Sequence, residues 1–254
     1  MYRPRIIPCL LLKDLGLVKT IKFKHPSYIG DPMNAINIFN KKKADELIFL
    51  DIMATSENRS INSELVSRMG EECMMPFAVG GGIRSMKDIE TLFKAGAEKV
   101  VINSEALLNP SLIETASKHY GSQSIVISID VKKKIFGGYL IYGKRGKKAT
   151  NYDLIDYLKI IENYGAGEVF INAIDKDGTY SGYDINLIKI VSNQVKIPVI
   201  ACGGAGSIHD FKPAINEGRA SAVAAGSIFV YHGAKRAVLI NYPTSEEKIE
   251  LFKI

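Results

Sequence analysis

Pro76-Phe77-Ala78-Val79-Gly80-Gly81-Gly82-Ile83-Arg84-Ser85 returns 122 residues later as Pro198-Val199-Ile200-Ala201-Cys202-Gly203-Gly204-Ala205-Gly206-Ser207. The same shift carries Asp88 onto Asp210, Gly96 onto Gly218, and Ala44-Asp45-Glu46-Leu47 onto Ala166-Gly167-Glu168-Val169. Each copy reads as a short apolar strand, a glycine turn, and a serine placed to cap a following helix. Around these copies the alternation continues. Strand-like runs fall at Ile6–Leu12, Leu47–Asp51, Phe77–Val79, Val100–Ile102, Ile125–Asp130, Val169–Ile174, Val199–Ala201 and Ala222–Ala225. Helical periods fall at Pro32–Lys43, Ser60–Glu72, Ser85–Ala95, Pro110–His119, Tyr152–Tyr164, Ile185–Val195 and Ile208–Glu217. Apolar strands that do not alternate are covered on both faces, as in a parallel sheet with helical crossovers. Two halves, 1–121 and 122–254, with no linker between them, predict one domain over 1–254, a single α/β (β/α)8 TIM barrel with an internal half-barrel repeat.

The chain of 254 residues, 46% hydrophobic and 24% charged, suits a globular protein rather than a disordered one. No apolar run approaches the roughly 20 residues needed to span a bilayer. The N-terminal run is too short and wrongly flanked for a signal peptide. Cys9, Cys73 and Cys202 have no metal-ligand spacing and cannot all pair, which suits a reducing cytoplasm. No metal and no cofactor is expected, and no membrane contact.

The net charge of +6 is local. Between Val131 and Lys148 lie Lys132, Lys133, Lys134, Lys144, Arg145, Lys147 and Lys148 with no acidic residue; subtracting these seven from +6 leaves −1 for the rest. Phe136-Gly137-Gly138-Tyr139 marks a hairpin turn within that segment. A solvated hairpin is the preferred reading, then a loop for an anionic ligand or a partner. Nucleic acid comes last, because no nucleic-acid motif accompanies the charge.

Barrel active sites lie at the C-terminal ends of the strands. Gly81 and Gly82 follow the third strand, Gly203 and Gly204 the seventh. Asn103 and Ser104 end the fourth, and Ala225 and Ser227 flank Gly226 after the eighth. Glycines there turn the backbone sharply and present N–H groups to an anion. One such turn is ordinary barrel punctuation; two on repeat-related strand pairs point to a phosphorylated small molecule with a phosphate at each end.

At this point the sequence resembles the cyclase subunit (HisF) family of imidazole glycerol phosphate synthase. The matching stretches run from Arg5-Ile6-Ile7-Pro8-Cys9 through Asp45-Glu46-Leu47, Val79-Gly80-Gly81-Gly82, Lys99-Val100-Val101-Ile102-Asn103 and Ile129-Asp130 to Asp175-Lys176-Asp177-Gly178-Thr179 and Gly203-Gly204-Ala205-Gly206. The resemblance implies a barrel that receives ammonia from a separate glutaminase subunit (HisH-like) at its N-terminal face and uses it on a bisphosphorylated ribulosyl substrate. It also implies two catalytic aspartates, ending strands one and five. Asp130 matches the second. At the first stands Leu11, which neither donates nor accepts a proton, although such a pair needs one acid and one base. Asp14 belongs to the next loop. Lys19 matches a family loop lysine that can hold phosphate or polarise a carbonyl, the alternative being an exposed loop lysine. Asp51, Asp177 and Gly178 match substrate-site positions. Arg5, Glu46, Lys99 and Glu168, just before strands one, two, four and six, match the family's ammonia gate.

Keeping the gate and both glycine turns while losing one carboxylate resembles a branch of HisF-like proteins in surface-glycan (lipopolysaccharide) assembly. These act with a glutaminase and a sugar amidotransferase in acetamidino-sugar formation. The resemblance rests on Arg3-Pro4-Arg5 through Leu11, Gly16-Leu17-Val18-Lys19-Thr20, Lys132-Lys133 with Phe136-Gly137-Gly138-Tyr139, and Ala237 through Pro243. Two other readings stand: a genuine cyclase of histidine biosynthesis in which Asp14 or Asp51 substitutes, and a non-catalytic conduit or scaffold.

Overall fold

A computed structural model describes residues 4–233 and 235–252; Arg3 of the branch motif lies outside the described residues. Its strands are β1 (Arg5–Lys13), β2 (Leu47–Asp51), β3 (Phe77–Gly80), β4 (Lys99–Ile102), β5 (Ile125–Lys133), β6 (Glu168–Ala173), β7 (Val199–Cys202) and β8 (Ala222–Ala225). All eight pair in parallel in chain order. The sheet closes where Arg5 of β1 pairs with Ala222 of β8. The fold is a (β/α)8 TIM barrel.

Both faces of the sheet are buried. Inward side chains such as Ile7, Ile48, Val101, Val126, Phe170 and Ile200 form one apolar cluster, and the outward faces pack a second against the helices. Besides two short turns of helix at the cavity, Ser104–Leu108 and Ser227–Val230, the helices are α1 (Pro32–Lys41), α2 (Ser63–Glu72), α3 (Met86–Lys94), α4 (Ser111–Tyr120), α5 (Leu154–Asn163), α6 (Ile185–Gln194), α7 (Phe211–Asn216) and α8 (Ser245–Leu251). Ser85 and Asp88 make a capping box at the start of α3, and Ser207 and Asp210 make another 122 residues later. The second box opens onto a 3-10 turn, Ile208–Asp210, before α7 begins, where the sequence pattern suggested one helix from Ile208. Pro213 explains the difference: lacking an N–H, it is tolerated only in the first turn of an α-helix, so α7 cannot start earlier.

Three features extend the barrel. β1 runs on into a hairpin, Gly16–Ile21 with Lys24–Gly30. β5 runs on into a meander, Tyr139–Gly143 and then Lys148–Ala149. Gly137 and Gly138, at φ +92 and +76, form the turn foreseen there. Among the described residues no helix is long and apolar enough to cross a membrane.

Candidate active site

Inward-facing positions alternate along each strand, so each strand sends every second side chain into the interior. On β1 the series is Arg5, Ile7, Cys9, Leu11; on β6 it is Glu168, Phe170, Asn172. At the C-terminal end the interior opens into a cavity of about 1030 Å³. Its wall includes Leu11, Lys19, Asp51 and Asp130, the turn residues Gly81, Gly82, Asn103 and Ser104, and, across the mouth, Asp177, Gly178, Gly203, Gly204, Ala225 and Ser227. One cavity therefore gathers every residue that the sequence pattern and the resemblance placed at the C-terminal face.

Asp130 is buried on β5, and Asn103 donates to its Oδ2 from Nδ2 at 3.1 Å. Burial pushes its carboxyl up to about 7; the Asn103 bond works against that shift, and the Asp177 charge adds to it. The group is thus poised to exchange a proton near neutrality. Leu11 packs on the inner apolar cluster beside Leu50 and borders the cavity. Asp14 sits at φ +56 in the turn after β1, exposed and off the cavity wall. Asp51 borders the cavity, yet both its oxygens are engaged. Oδ1 accepts from the N–H groups of Met53 (2.9 Å) and Ala54 (3.1 Å), and Oδ2 meets Arg59 at 2.6 Å.

Lys19 is not an exposed loop lysine. It is buried, and its Nζ lies 3.2 Å from Asp177 Oδ1. Burial disfavours its charge, but Asp177 and the Cys9 and Cys202 sulfurs outweigh that, so its pKa lies above the ordinary lysine value. Asp177 Oδ2 also accepts from Thr20 Oγ1 (3.1 Å) and from the Phe23 N–H (3.4 Å), which pins the β1 hairpin over the cavity.

The glycine turns answer to packing as well as to any ligand. A Cβ on Gly81 would sit 2.6 Å from the Asp51 carbonyl; on Gly203 it would sit 2.7 Å from the Ala173 carbonyl, the repeat-related position. Backbone is pressed against backbone in both half-barrels, which no side chain permits.

At the opposite mouth Arg5 pairs with Glu46 and, at 2.7 Å, with Glu168; Lys99 pairs with Glu46 at 3.0 Å and with Glu168 at 3.2 Å. Cations and anions alternate around a closed ring, with Glu46 only 2% exposed. Between ring and cavity the interior is lined by Ile7, Ile48, Ala78, Val101, Val126, Phe170, Ile200 and Ala222.

The sequence pattern missed several residues. Asn172, level with Asp130 and with Cys202 in the strand register, lines the cavity; its Oδ1 is buried with no partner. Ser128 accepts from Asn103 through its carbonyl. For Ser128 the available signal was a polar residue two before Asp130 in an otherwise apolar strand. Cys202 has its pKa raised well above the ordinary thiol value, first by its hydrogen bond with Cys9 and then by burial, and burial lifts Cys73 to about 12. These two stay protonated thiols near neutral pH rather than nucleophiles. Among the described residues no group of three or more His, Cys, Asp or Glu is arranged to hold a metal ion.

Fold and cavity together define a (β/α)8 barrel with a pocket of mixed polar and apolar lining, carrying both basic and acidic side chains, at the C-terminal face and an ionic ring at the other. The chain belongs to the family described as histidine biosynthesis protein, whose sequence profile matches residues 5–235, and within it to the HisF type. It is 49% identical over 243 residues to a provisionally named imidazole glycerol phosphate synthase subunit hisF2 of Pseudomonas aeruginosa, covering 96% of this chain and 97% of that one. A provisionally named HisF of Leptospira borgpetersenii is 46% identical over 253 residues, with 99% and 100% covered. The imidazole glycerol phosphate synthase subunit HisF of Alkaliphilus metalliredigens is 43% identical over 232 residues, with 91% and 92% covered.

Proposed function

We propose that this chain is the synthase-type subunit of a two-component glutamine amidotransferase, taking ammonia from a glutaminase docked on its N-terminal face. It serves acetamidino modification of a surface-glycan sugar rather than ring closure in histidine biosynthesis. Leu11 carries the second half of this reading. A hydrocarbon borders the cavity where the acid–base pair needs its other carboxyl, and neither neighbouring acid replaces it: Asp14 is off the wall, and Asp51 is committed to Arg59 and to its own turn. Loss of one member of such a pair costs a factor of about 10² to 10⁴.

The first half is supported by the ring of Arg5, Glu46, Lys99 and Glu168 and the apolar interior above it. Neutral ammonia crosses such an interior at a far smaller desolvation cost than the ammonium ion. Asp130 and Lys19 hold the acceptor's proton and anion traffic in the cavity, the glycine turns with Asn103, Ser104 and Ser227 bind its phosphates, and Asp177 holds Lys19 in place. A cytoplasmic setting fits a partner that hydrolyses glutamine.

The test uses the full chain with free ammonia and the ribulosyl bisphosphate, and separately with a HisH-type glutaminase. The expected result is a glutaminase complex whose glutamine hydrolysis is stimulated, with no ring closure. Turnover of the bisphosphate at ordinary cyclase rates would overturn the glycan assignment. Failure to bind or stimulate the glutaminase would overturn the ammonia assignment.

A further inference from the structure

The basic segment identified in the sequence divides in two in the structure. Its tip, with Ile135 and Phe136, is exposed, as expected for a solvated hairpin. The other turn is not simply solvated: Lys144, Arg145, Lys147 and Lys148 border the cavity. That turn is wedged in place. Arg145 Nη1 lies 3.4 Å from Ser56 Oγ and 3.5 Å from Met53 Sδ, reaching the loop after β2. A Cβ on Gly146 would stand 3.0 Å from both Phe23 and Ile174, so the turn also rests on the β1 hairpin. Thr150 Oγ1, where the meander returns, is buried without a partner and borders the same cavity.

The loop that Arg145 touches is the one against which Gly82 packs from the other side, through Ala54 and Arg59. The turn therefore reaches, through Arg145, the loop on which the β3 glycine turn packs and, through Gly146, the segment after β6. Charge at that end is unbalanced. Lys144, Arg145, Lys147, Lys148, Arg84 and Arg59 stand with the carboxylates Glu105, Asp51 and Glu57, so six minus three leaves three positive charges. Asp51 is spent on Arg59, and at the far end Lys19 is matched by Asp177. Among the described residues none of the four turn cations forms an ion pair. A phosphate monoester brings about −1.5 to −2 charges at neutral pH, too few for this end.

We propose that the Lys144–Lys148 turn is an anion-binding lid that takes a diphosphate, not a single phosphate, at the β3 end of the cavity. The ligand class is a terminal diphosphate, esterified at one end only, such as a nucleoside diphosphate, which carries more negative charge than a phosphate monoester. The proposal deepens the function above only in taking the cavity as the ligand site.

Isothermal titration of the full chain with inorganic pyrophosphate and inorganic phosphate, at one fixed ionic strength, tests it. Pyrophosphate is expected to bind about tenfold or more tighter than phosphate, about 1.4 kcal/mol per tenfold. R145Q/K147Q should lose that preference and keep its phosphate affinity. K189Q/K212Q, which removes the same charge from the outer faces of α6 and α7, should change neither. If R145Q/K147Q does not fold, K144Q/K148Q replaces it. Equal affinity for both anions, no binding of pyrophosphate, or equal loss in the outer-face control overturns the lid. Glutaminase stimulation is measured on the same samples, so a chain that couples to glutaminase without discriminating anions sinks the lid alone. One that discriminates without coupling sinks the ammonia reading alone.

Discussion

Asn103 Nδ2 and Asp130 Oδ2 stand 3.1 Å apart at the ends of β4 and β5, and this bond does not rescue the carboxyl from its burial. An amide donor favours the ionised form, yet the pKa still rises from 3.8 to about 7 because desolvation is the larger effect. In the unfolded chain Asp130 releases its proton near 3.8, whereas the folded chain holds it to about 7. Between those values the folded state binds more protons, so Asp130's contribution to stability falls as pH rises through this window and is constant above it. Asp130→Asn removes the effect. Its melting temperature should match that of the native chain near pH 4, pull ahead as pH rises, and keep a constant lead above about pH 8. Calorimetric scans at several pH values check this; a lead independent of pH would show that the proton is not held.

The ionic ring makes a separate prediction about stability. Glu46 and Glu168 are buried and each meets both cations. Arg5→Ala leaves buried carboxylates short of a partner and should cost about 3 kcal/mol. Replacing all four ring residues together by apolar side chains of similar volume should cost far less, since the charges' desolvation is removed with them. Urea unfolding of the two variants distinguishes the cases. If the fourfold variant proves the weaker, the ring exists for stability, and a gating role is not needed to explain it.

The barrel was legible because its repeat is written in residues that backbone geometry requires: the glycines pressed on Asp51 and Ala173, and the Ser–Asp capping boxes after them. The β1 hairpin was not. Its turn residues Lys22 and Phe23 adopt φ +51 and +62 without glycine or asparagine, so the usual turn signature is missing, and its second strand is almost wholly exposed. Lys248 was equally hidden: a lysine in an acidic terminal helix is 3% exposed, bonded to Asp45 at 3.0 Å. Leu11 and Asp130 were legible through the family resemblance, and both border the cavity. Asn172 was not noticed because a single amide in an apolar strand carries no motif.

Asp177 ties that unforeseen hairpin to the barrel through Lys19, Thr20 and the Phe23 N–H, and its carbonyl accepts from the Lys22 N–H at 2.9 Å. Asp177→Ala removes the side-chain anchors and strands a buried ammonium. Amide exchange in residues 16–30 should then speed by about tenfold or more, while exchange in the core strands follows global stability alone. Hydrogen-exchange mass spectrometry separates the two. Unchanged protection in the hairpin would mean that its backbone pairing with β1, not Asp177, holds it closed.

Leu11→Asp addresses the missing half of the acid–base pair directly. A second carboxyl on the cavity wall cannot ionise freely alongside Asp130, so one of the two should titrate higher still and the variant should lose stability most above pH 7. That same separation of pKa values is what lets one group donate a proton while the other accepts it. If the remaining machinery, Lys19 with Asp177 and the two glycine turns, is intact, ammonia-dependent turnover of the ribulosyl bisphosphate should rise by about 10² or more over the native chain. Leu11→Asn, polar but unable to exchange a proton, should gain nothing. A folded Leu11→Asp variant that stays as inactive as the native chain would locate the divergence elsewhere in the cavity, with Asn172 and the Lys144–Lys148 turn the next positions to change.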